Sequence, residues 1–323
     1  IVEYNIRISR ADEITIEKSS NNWENYSYKR EKDIYQYNTK DVRYDICISR
    51  DKDGVESSSI ELELTGEIEY VSLMKNIEYV LRNIQKSYFL TKRSEEEFVL
   101  NTYKKLTRQK NALFSGMQPV TMSKSNMEQT RTNEYTVTDK ADGERKLLVI
   151  LKEGSYFITN NMNIEKTNYI LNNASAVEGT ILDGEFINNN LYSVFDIMVY
   201  AGDDLRDNTN YNLTERMKLI TNVLSNITSD TLFIQEKNYL YGDVYCNAKL
   251  ILDFFKRNNQ PYKIDGLIYT PVNHPYQTKK TNLKILKRKP SGINTIDFLI
   301  TKRKISDTHE EWILYSQESN RQI

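Results

Sequence analysis

The stretch Thr138-Asp139-Lys140-Ala141-Asp142-Gly143-Glu144-Arg145 constrains this chain more than any other. Tyr135 to Val137 lies before it and Leu147 to Leu151 after it, both β-branched, aromatic or aliphatic, so both read as strands. Lys140 is therefore predicted to lie in a tight connection between two strands, a lysine hairpin. A lysine so placed is a candidate nucleophile where its pKa is lowered, because only the neutral amine attacks. Gly143 lets backbone come close to a ligand, and Arg145 offers a planar fork of donors for hydroxyls or phosphate. The plainer reading of the same residues is a solvated turn, since Asp-Gly is a favoured turn dipeptide.

A length of 323 residues allows two domains of ordinary size. Hydrophobic content of 39% and charged content of 28% fit a soluble chain rather than a disordered one. No apolar run is long enough to cross a bilayer and no signal-peptide pattern opens the chain. Cys47 and Cys246 cannot build a disulfide framework, which points to a reducing compartment. His274 and His309, with no cysteine cluster, argue against zinc. The net charge is −1, yet between Gln277 and Lys304 nine Lys or Arg residues face one acid, Asp297. Such a strip suits phosphates; a solvated basic face is its plainer meaning. The chain opens at Ile1 without methionine and reads as an excised part of something longer, and its Asn, Lys, Ile and Tyr richness suggests an AT-rich coding genome.

Alternation dominates the first part. Val2 to Ile8, Ile14 to Ile16, Ser27 to Tyr37, Arg43 to Ser49 and Ser59 to Leu64 read as strands of an antiparallel, curved sheet. Arg43 and Asp45 share a face with Cys47, and Glu61 and Glu63 share one opposite the aliphatics. Alternating carboxylates on an interior face can hold a divalent metal; on a surface they form a solvated stripe. Tyr70 to Ser87 is predicted to be a helix, with Val71, Met74, Ile77, Val80, Leu81 and Ile84 as its buried stripe, and a charged helical segment from Ser94 to Leu113 links two domains.

Further along, Asp183 and Glu185 lie two apart in a strand and point the same way. Phe195-Asp196 sits in a buried strand, Tyr192 to Tyr200, where Phe195 taken alone would be an ordinary core residue. Asn212 and Glu215 form a capping box ahead of a helix whose stripe is Leu213, Met217, Ile220 and Leu224, and a second helix runs from Asn247 to Arg257. Asp265 opens a strand, and alternation puts Lys287 and Lys289 on one face of another, where two cations clamp a phosphate and depress the pKa of Lys140.

Lys140-Ala141-Asp142-Gly143-Glu144-Arg145 resembles the Lys-x-Asp-Gly-x-Arg nucleophile motif of covalent nucleotidyltransferases, the mRNA capping guanylyltransferases and the polynucleotide ligases. Glu185, Phe195-Asp196, Asp265 and Lys287/Lys289 follow in the family's order, and the flanks are most similar to capping enzymes of large DNA viruses and yeast cytoplasmic linear plasmids. The resemblance implies that Lys140 takes GMP from GTP as a phosphoramidate and passes it to the 5′-diphosphate end of RNA. It implies that Lys287 and Lys289 hold the α-phosphate, that Arg145 and Glu185 fix the ribose, that Phe195 stacks on the purine beside Asp196, and that Asp142 and Gly143 shape the loop. Asp265 and Glu185 would hold Mg²⁺ or Mn²⁺. Met122, Ser123 and Lys124, after a Gln-Pro-Val segment, would lie beside the base. The alternatives are an ATP-dependent ligase that forms lysyl-AMP and an inert nucleotide-binding fragment.

The first part is similar to tunnel-type, metal-dependent RNA triphosphatases. In that likeness Lys29, Arg30 and Arg43 bind triphosphate, and Glu61 and Glu63 bind metal with a second glutamate pair near the domain's start. That pair has no counterpart, since Glu13 and Glu17 have the wrong spacing, so this activity is expected to be lost. The implied fold is α+β: a partial antiparallel β-tunnel over 1–115, a nucleotidyltransferase domain of the ATP-grasp-like ligase and capping type over 116–293, with antiparallel sheets and flanking helices, and the start of a truncated oligonucleotide-binding (OB) fold over 294–323. The closing motif of that last domain has no match. A following methyltransferase domain, no membrane association, and a cytoplasmic site in a viral factory or with a plasmid, or in a virion, complete what the resemblance implies.

Overall fold

The structure is a computed structural model that describes residues 2–8, 30–66, 69–131, 134–257, 260–278, 284–289, 298–304 and 310–316. The expected strand at Ile14 and Ile16, the candidate Lys29, and the segment from Asn294 to Asp297 lie outside the described residues. The chain divides into two compact units, Ile1–Phe98 and Val99–Ile323.

In the first unit β1 (Arg30–Asn38), β2 (Val42–Asp51) and β3 (Glu56–Leu64) form an antiparallel sheet in the order β1-β2-β3. Helix α1 (Tyr70–Gln85) follows, and α2 (Arg93–Leu106) begins. Alternation at Val2 to Ile8 does not give a strand: Val2–Tyr4 is a 3-10 turn closed by Asn5 N donating to Val2 O, 3.1 Å, with Asn5 at φ 52°. The stripe of α1 is only partly covered. Leu81 is buried, whereas Val71 is 59% and Ile84 58% exposed, so the apolar period at the helix ends packs against nothing described.

The second unit contains the rest of α2, β4 (Val120–Thr121), α3 (Lys124–Met127), β5 (Tyr135–Ala141), β6 (Glu144–Leu151), β7 (Gly154–Thr159), β8 (Ile164–Lys166), β9 (Ile170–Leu171), α4 (Ala174–Val177), β10 (Thr180–Ile187) and β11 (Leu191–Tyr200). It continues with β12 (Asp203–Asp204), α5 (Leu213–Ser225), β13 (Ile227–Thr228), β14 (Phe233–Glu236), β15 (Leu240–Tyr241), α6 (Val244–Phe255), β16 (Ile264–Pro271) and β17 (Leu286–Arg288), and ends in the antiparallel pair β18 (Phe298–Lys304) and β19 (Glu310–Ser316). Two main sheets result. One has the order β12-β11-β10-β6-β7-β8 with β14 beside β11; the other has the order β15-β5-β16-β17-β4.

Lys140 is not in a hairpin. It lies inside β5, and β5 and β6 do not pair: β5 bonds to β15 and β16, β6 to β10 and β7. The Asp142-Gly143 bend carries the chain from one sheet into the other. It is held there by Asp142 N donating to Lys263 O and Gly143 N to Glu185 Oε1, 2.9 and 3.2 Å, instead of by a two-residue hairpin closure.

Alternation then assigns each strand's faces. In the lysine-bearing sheet Tyr135, Val137, Leu267, Tyr269 and Leu286 pack with Val244, Ala248 and Ile251 of α6. That leaves Thr138, Lys140, Ile268, Thr270 and Lys287 on the other face. In the second sheet Leu148, Ile150, Leu182 and Val194 pack with Ile220 and Val223 of α5, and Leu147, Val149 and Ile181 pack with Tyr103 and Met117. Asn212 caps α5 by accepting from Glu215 N at 3.1 Å, as its sequence predicts. Helix α6 starts ahead of the expected Asn247, because Asp243 accepts from Tyr245 N and Cys246 N, each at 3.0 Å, and so fixes the first turn.

Candidate active site

A cleft of about 460 Å³ opens between the free face of the lysine-bearing sheet and the Arg145-Glu185 edge of the other. Two β-bulges aim side chains into this region. In β16 the register jumps from Ile264↔Ala141 to Gly266↔Lys140, so Asp265 is the extra residue and its carboxylate meets the Lys140 ammonium at 2.9 Å. In β11 the register jumps from Asp183↔Asp196 to Gly184↔Val194, so Phe195 is the extra residue there and lines the cleft. An unpaired bulge residue bends its strand and re-aims its side chain. Gly266 is part of the same device: a Cβ there would meet Arg288 O at 2.3 Å.

Lys140 is 22% exposed, and Lys289 Nζ reaches the same Asp265 carboxylate at 2.8 Å. Burial alone would push the Asp265 carboxyl up, but the Lys289 and Lys140 ammonium groups outweigh it and hold that carboxyl below its usual range. Lys287 lines the cleft on the side that alternation predicts. Glu185 lines it from the opposite wall, where burial raises its pKa against the pull of Lys140 and Lys237. Asp142 is exposed and enters only through its backbone amide.

Two of the expected nucleotide-binding residues line the cleft while held by partners within the protein. The guanidinium fork of Arg145 is engaged on one side. Nε and Nη2 hold Asp183 at 3.0 and 2.6 Å, Nη1 donates to Met117 O, and Phe114 and Phe195 flank its plane at 5.4 and 5.3 Å. Burial works against this charge, and the Asp183 carboxylate more than offsets it, so the Arg145 pKa stands above the ordinary arginine value. Asp196, expected beside the nucleotide, lines the cleft and has both oxygens on Arg216, at 2.6 and 3.0 Å. A buried carboxylate needs such a partner. Of the three base-side candidates, Ser123 caps α3 with a capping box, Met122 packs toward α6 and Lys124 is exposed; Gln118 and Pro119 line the cleft instead.

Several site residues carried no sequence signal. Lys237 is 5% exposed, lines the cleft and pairs with Asp139 at 2.8 Å. Tyr276 donates to Asp183 Oδ2 at 2.6 Å and accepts from Met117 N at 3.0 Å. Both meet their partners only through the tertiary fold, so no spacing announces them.

A divalent cation needs oxygen donors, and Asp265 and Glu185 supply two carboxylates that feel one another's charge. The Lys140 ammonium lies 2.9 Å from Asp265 Oδ1 and the Lys289 ammonium 2.8 Å from Oδ2, so the carboxylate is held by cations on both oxygens. The pair fits the usual Mg²⁺ pattern of one or two carboxylates completed by phosphate oxygens and water. In the first unit, the register puts Arg30, Arg43, Asp45, Glu61 and Glu63 on one face of the sheet. There Arg43 pairs with both Asp45 and Glu63, so its guanidinium already takes up the carboxylate charge on that face. Glu61 and Glu63 as they stand therefore do not fit a metal site.

The family described as "mRNA capping enzyme, catalytic domain" matches residues 89–291. A probable mRNA-capping enzyme of Acanthamoeba polyphaga mimivirus is 28% identical over 305 residues, covering 76% of this chain and 26% of that protein. An mRNA-capping enzyme of Caenorhabditis elegans is 26% identical over 226 residues, covering 62% of this chain and 36% of that protein. The chain thus spans about a quarter to a third of the length of these relatives. Among solved structures, the ligase domain from M. tuberculosis LigD is 14% identical with a TM-score of 0.39, over 62% of this chain and 69% of that one, too low a score to identify a fold.

Proposed function

The chain belongs to the family of the mRNA capping enzyme catalytic domain, and from that premise we propose that it is a guanylyltransferase that carries GMP on Lys140. The observation that carries this is the placement of the Lys140 amine on the inner wall of the interstrand cleft, bonded to a bulge-aimed Asp265 and facing Glu185 across it.

In the first step the neutral Lys140 amine attacks the α-phosphorus of GTP. A P–N bond forms, the bond to pyrophosphate breaks, the proton that leaves the amine passes to solvent, and Asp265, bonded to Nζ, orients the amine. In the second step an oxygen of the 5′-diphosphate end of RNA attacks the same phosphorus, the P–N bond breaks, and Lys140 recovers its proton. Lys287, which lines the cleft, and Lys289, bonded to Asp265, would neutralise the α-phosphate, and most of the catalysis is positioning. Asp265 and Glu185 would hold Mg²⁺ or Mn²⁺, whose chemistry is to bind phosphate oxygens and stabilise the charge that builds on them. Arg145, held on Asp183 beside Phe195 and lining the cleft, would fix the ribose together with Glu185.

The test is to incubate the chain with α-phosphate-labelled GTP or ATP and a divalent cation, denature it, and look for acid-labile, alkali-stable label. Label from GTP that disappears in Lys140→Ala is the expected result. Label from ATP would make the chain a ligase, label on Lys140→Ala would remove Lys140 as nucleophile, and no label would leave only a binding site.

For the first unit we infer a triphosphatase-like half-tunnel without a working metal site, supported by the single face that carries Arg30, Arg43, Glu61 and Glu63. It is expected to release no phosphate from γ-labelled triphosphate RNA. The 294–323 segment as the start of an OB fold, a methyltransferase in the longer protein and a cytoplasmic location belong to the same proposal.

A further inference from the structure

Between Glu97 and Glu128 the sequence has no acid and five cations, Lys104, Lys105, Arg108, Lys110 and Lys124. Four of them fall at the C-terminal end of α2 and in the turn that follows. There a second, shallow cavity of about 380 Å³ is lined by Asn101, Lys104, Lys105, Gln109 and Lys110, with no carboxylate among its walls. Among the described residues none of the three lysines is ion-paired, and Asp204, held by Arg206 at 2.8 Å, feels the charge of Arg108.

The turn is built. Gln109 N donates to Lys104 O at 2.9 Å and Arg108 N to Lys105 O at 3.2 Å, the two bonds of a Schellman helix end. Arg108 takes the left-handed position of that motif, φ 52°, where glycine is favoured and an arginine is strained. Beyond it, Leu113 N donates to Gln109 Oε1 and Tyr103 OH to Leu113 O, 3.2 and 2.9 Å, so the path into the cleft is fixed as well. Phe114 lines the cleft, and Lys110 is four residues before it, so the two backbone positions are at most about 14 Å apart.

We propose that Lys104, Lys105 and Lys110 form a binding site for the phosphates of the acceptor RNA, a few nucleotides downstream of the 5′ end that the cleft receives. The proposal rests on the capping reading for the identity of the chain it binds. Unpaired ammonium groups on a concave, acid-free surface bind backbone phosphate without regard to sequence, and a capping enzyme needs a site of that kind, since its acceptors share an end and not a sequence.

The experiment compares the 323-residue chain with K105E/K110E and with K104Q/K105Q/K110Q. Fluorescence anisotropy with a 3′-labelled 20-nucleotide RNA ending in a 5′-diphosphate reads binding; transfer of GMP to the same RNA and to a 5′-diphosphate dinucleotide reads function. The expected result is about a tenfold weaker affinity and a salt dependence shallower by about 2, near 0.7 for each lost phosphate contact to a single strand. KM for the 20-mer should rise in parallel, with lysyl-GMP formation and dinucleotide transfer unchanged. Unchanged affinity and salt slope would overturn the proposal, leaving the lysines a solvated face. So would an equal loss with the dinucleotide, which would mean the charges act on the cleft itself. Absence of lysyl-GMP in the unsubstituted chain would overturn the guanylyltransferase reading alone, because anisotropy still reads the lysine site.

Discussion

A methyl group at Gly143 would sit 2.6 Å from Phe186 O and 2.9 Å from Glu185 Cγ, so the bend between the two sheets accepts no side chain. Gly143→Ala is expected to lower stability by about 1–3 kcal/mol, the range for overpacking a tight site, and to slow GTP labelling because the added methyl pushes the bend and its amide away from Glu185. Chemical denaturation and labelling rates check both. Glu185 gives a second residue-scale prediction. Burial raises its folded-state pKa above the unfolded value of about 4.3. Ionising it therefore opposes folding, fully so above the folded pKa, and the opposition vanishes as pH falls below the unfolded one. Glu185→Gln is expected to raise Tm at pH 7 while labelling falls, with the Tm difference closing toward pH 4. A lower Tm at pH 7 would show that the Gly143 and Lys140 contacts outweigh burial.

Among the elements, the segment after β16 does more than connect strands. Its Tyr276 hydroxyl joins Asp183 to the Met117 amide, and Asp183 in turn fixes Arg145. Tyr276→Phe leaves a buried amide and a carboxylate oxygen short of a partner, a loss of about 1–3 kcal/mol. Urea unfolding should show it, and a labelling rate that falls further than the folded fraction would show that Arg145 has loosened. This network was not legible in the sequence, because Arg145 and Asp183 are 38 residues apart and Tyr276 and Asp183 are 93 apart. What was legible were local properties: the order of Lys140, Glu185, Phe195, Asp265 and Lys287, and the alternation that turns Lys287 to one face of its strand, where it lines the cleft. Pairing is not local. Nothing in Tyr135 to Leu151 says that β5 and β6 bond to other strands, so the lysine connection read as a hairpin. Likewise Asp196 and Arg216, 20 apart, meet only because α5 packs on β11.

For the molecule as a whole, every residue lining the cleft belongs to the second unit, from Phe114 to Lys287. A chain of residues 89–323, cut ahead of α2, is therefore expected to form lysyl-GMP at a rate close to that of the full chain; loss of labelling in a folded truncation would show that the first unit contributes to the reaction. Most of the charge around the cleft cancels in pairs already described. Arg145 with Asp183, Arg216 with Asp196 and Lys237 with Asp139 each cancel. What remains is Lys140, Lys287 and Lys289 against Asp265 and Glu185, a surplus of a single positive charge. A nucleoside triphosphate brings about four negative charges, as its ionised phosphates require. The protein by itself therefore offsets only a minor part of its substrate's charge, and the nucleotide has to arrive with its own counterions rather than find them waiting.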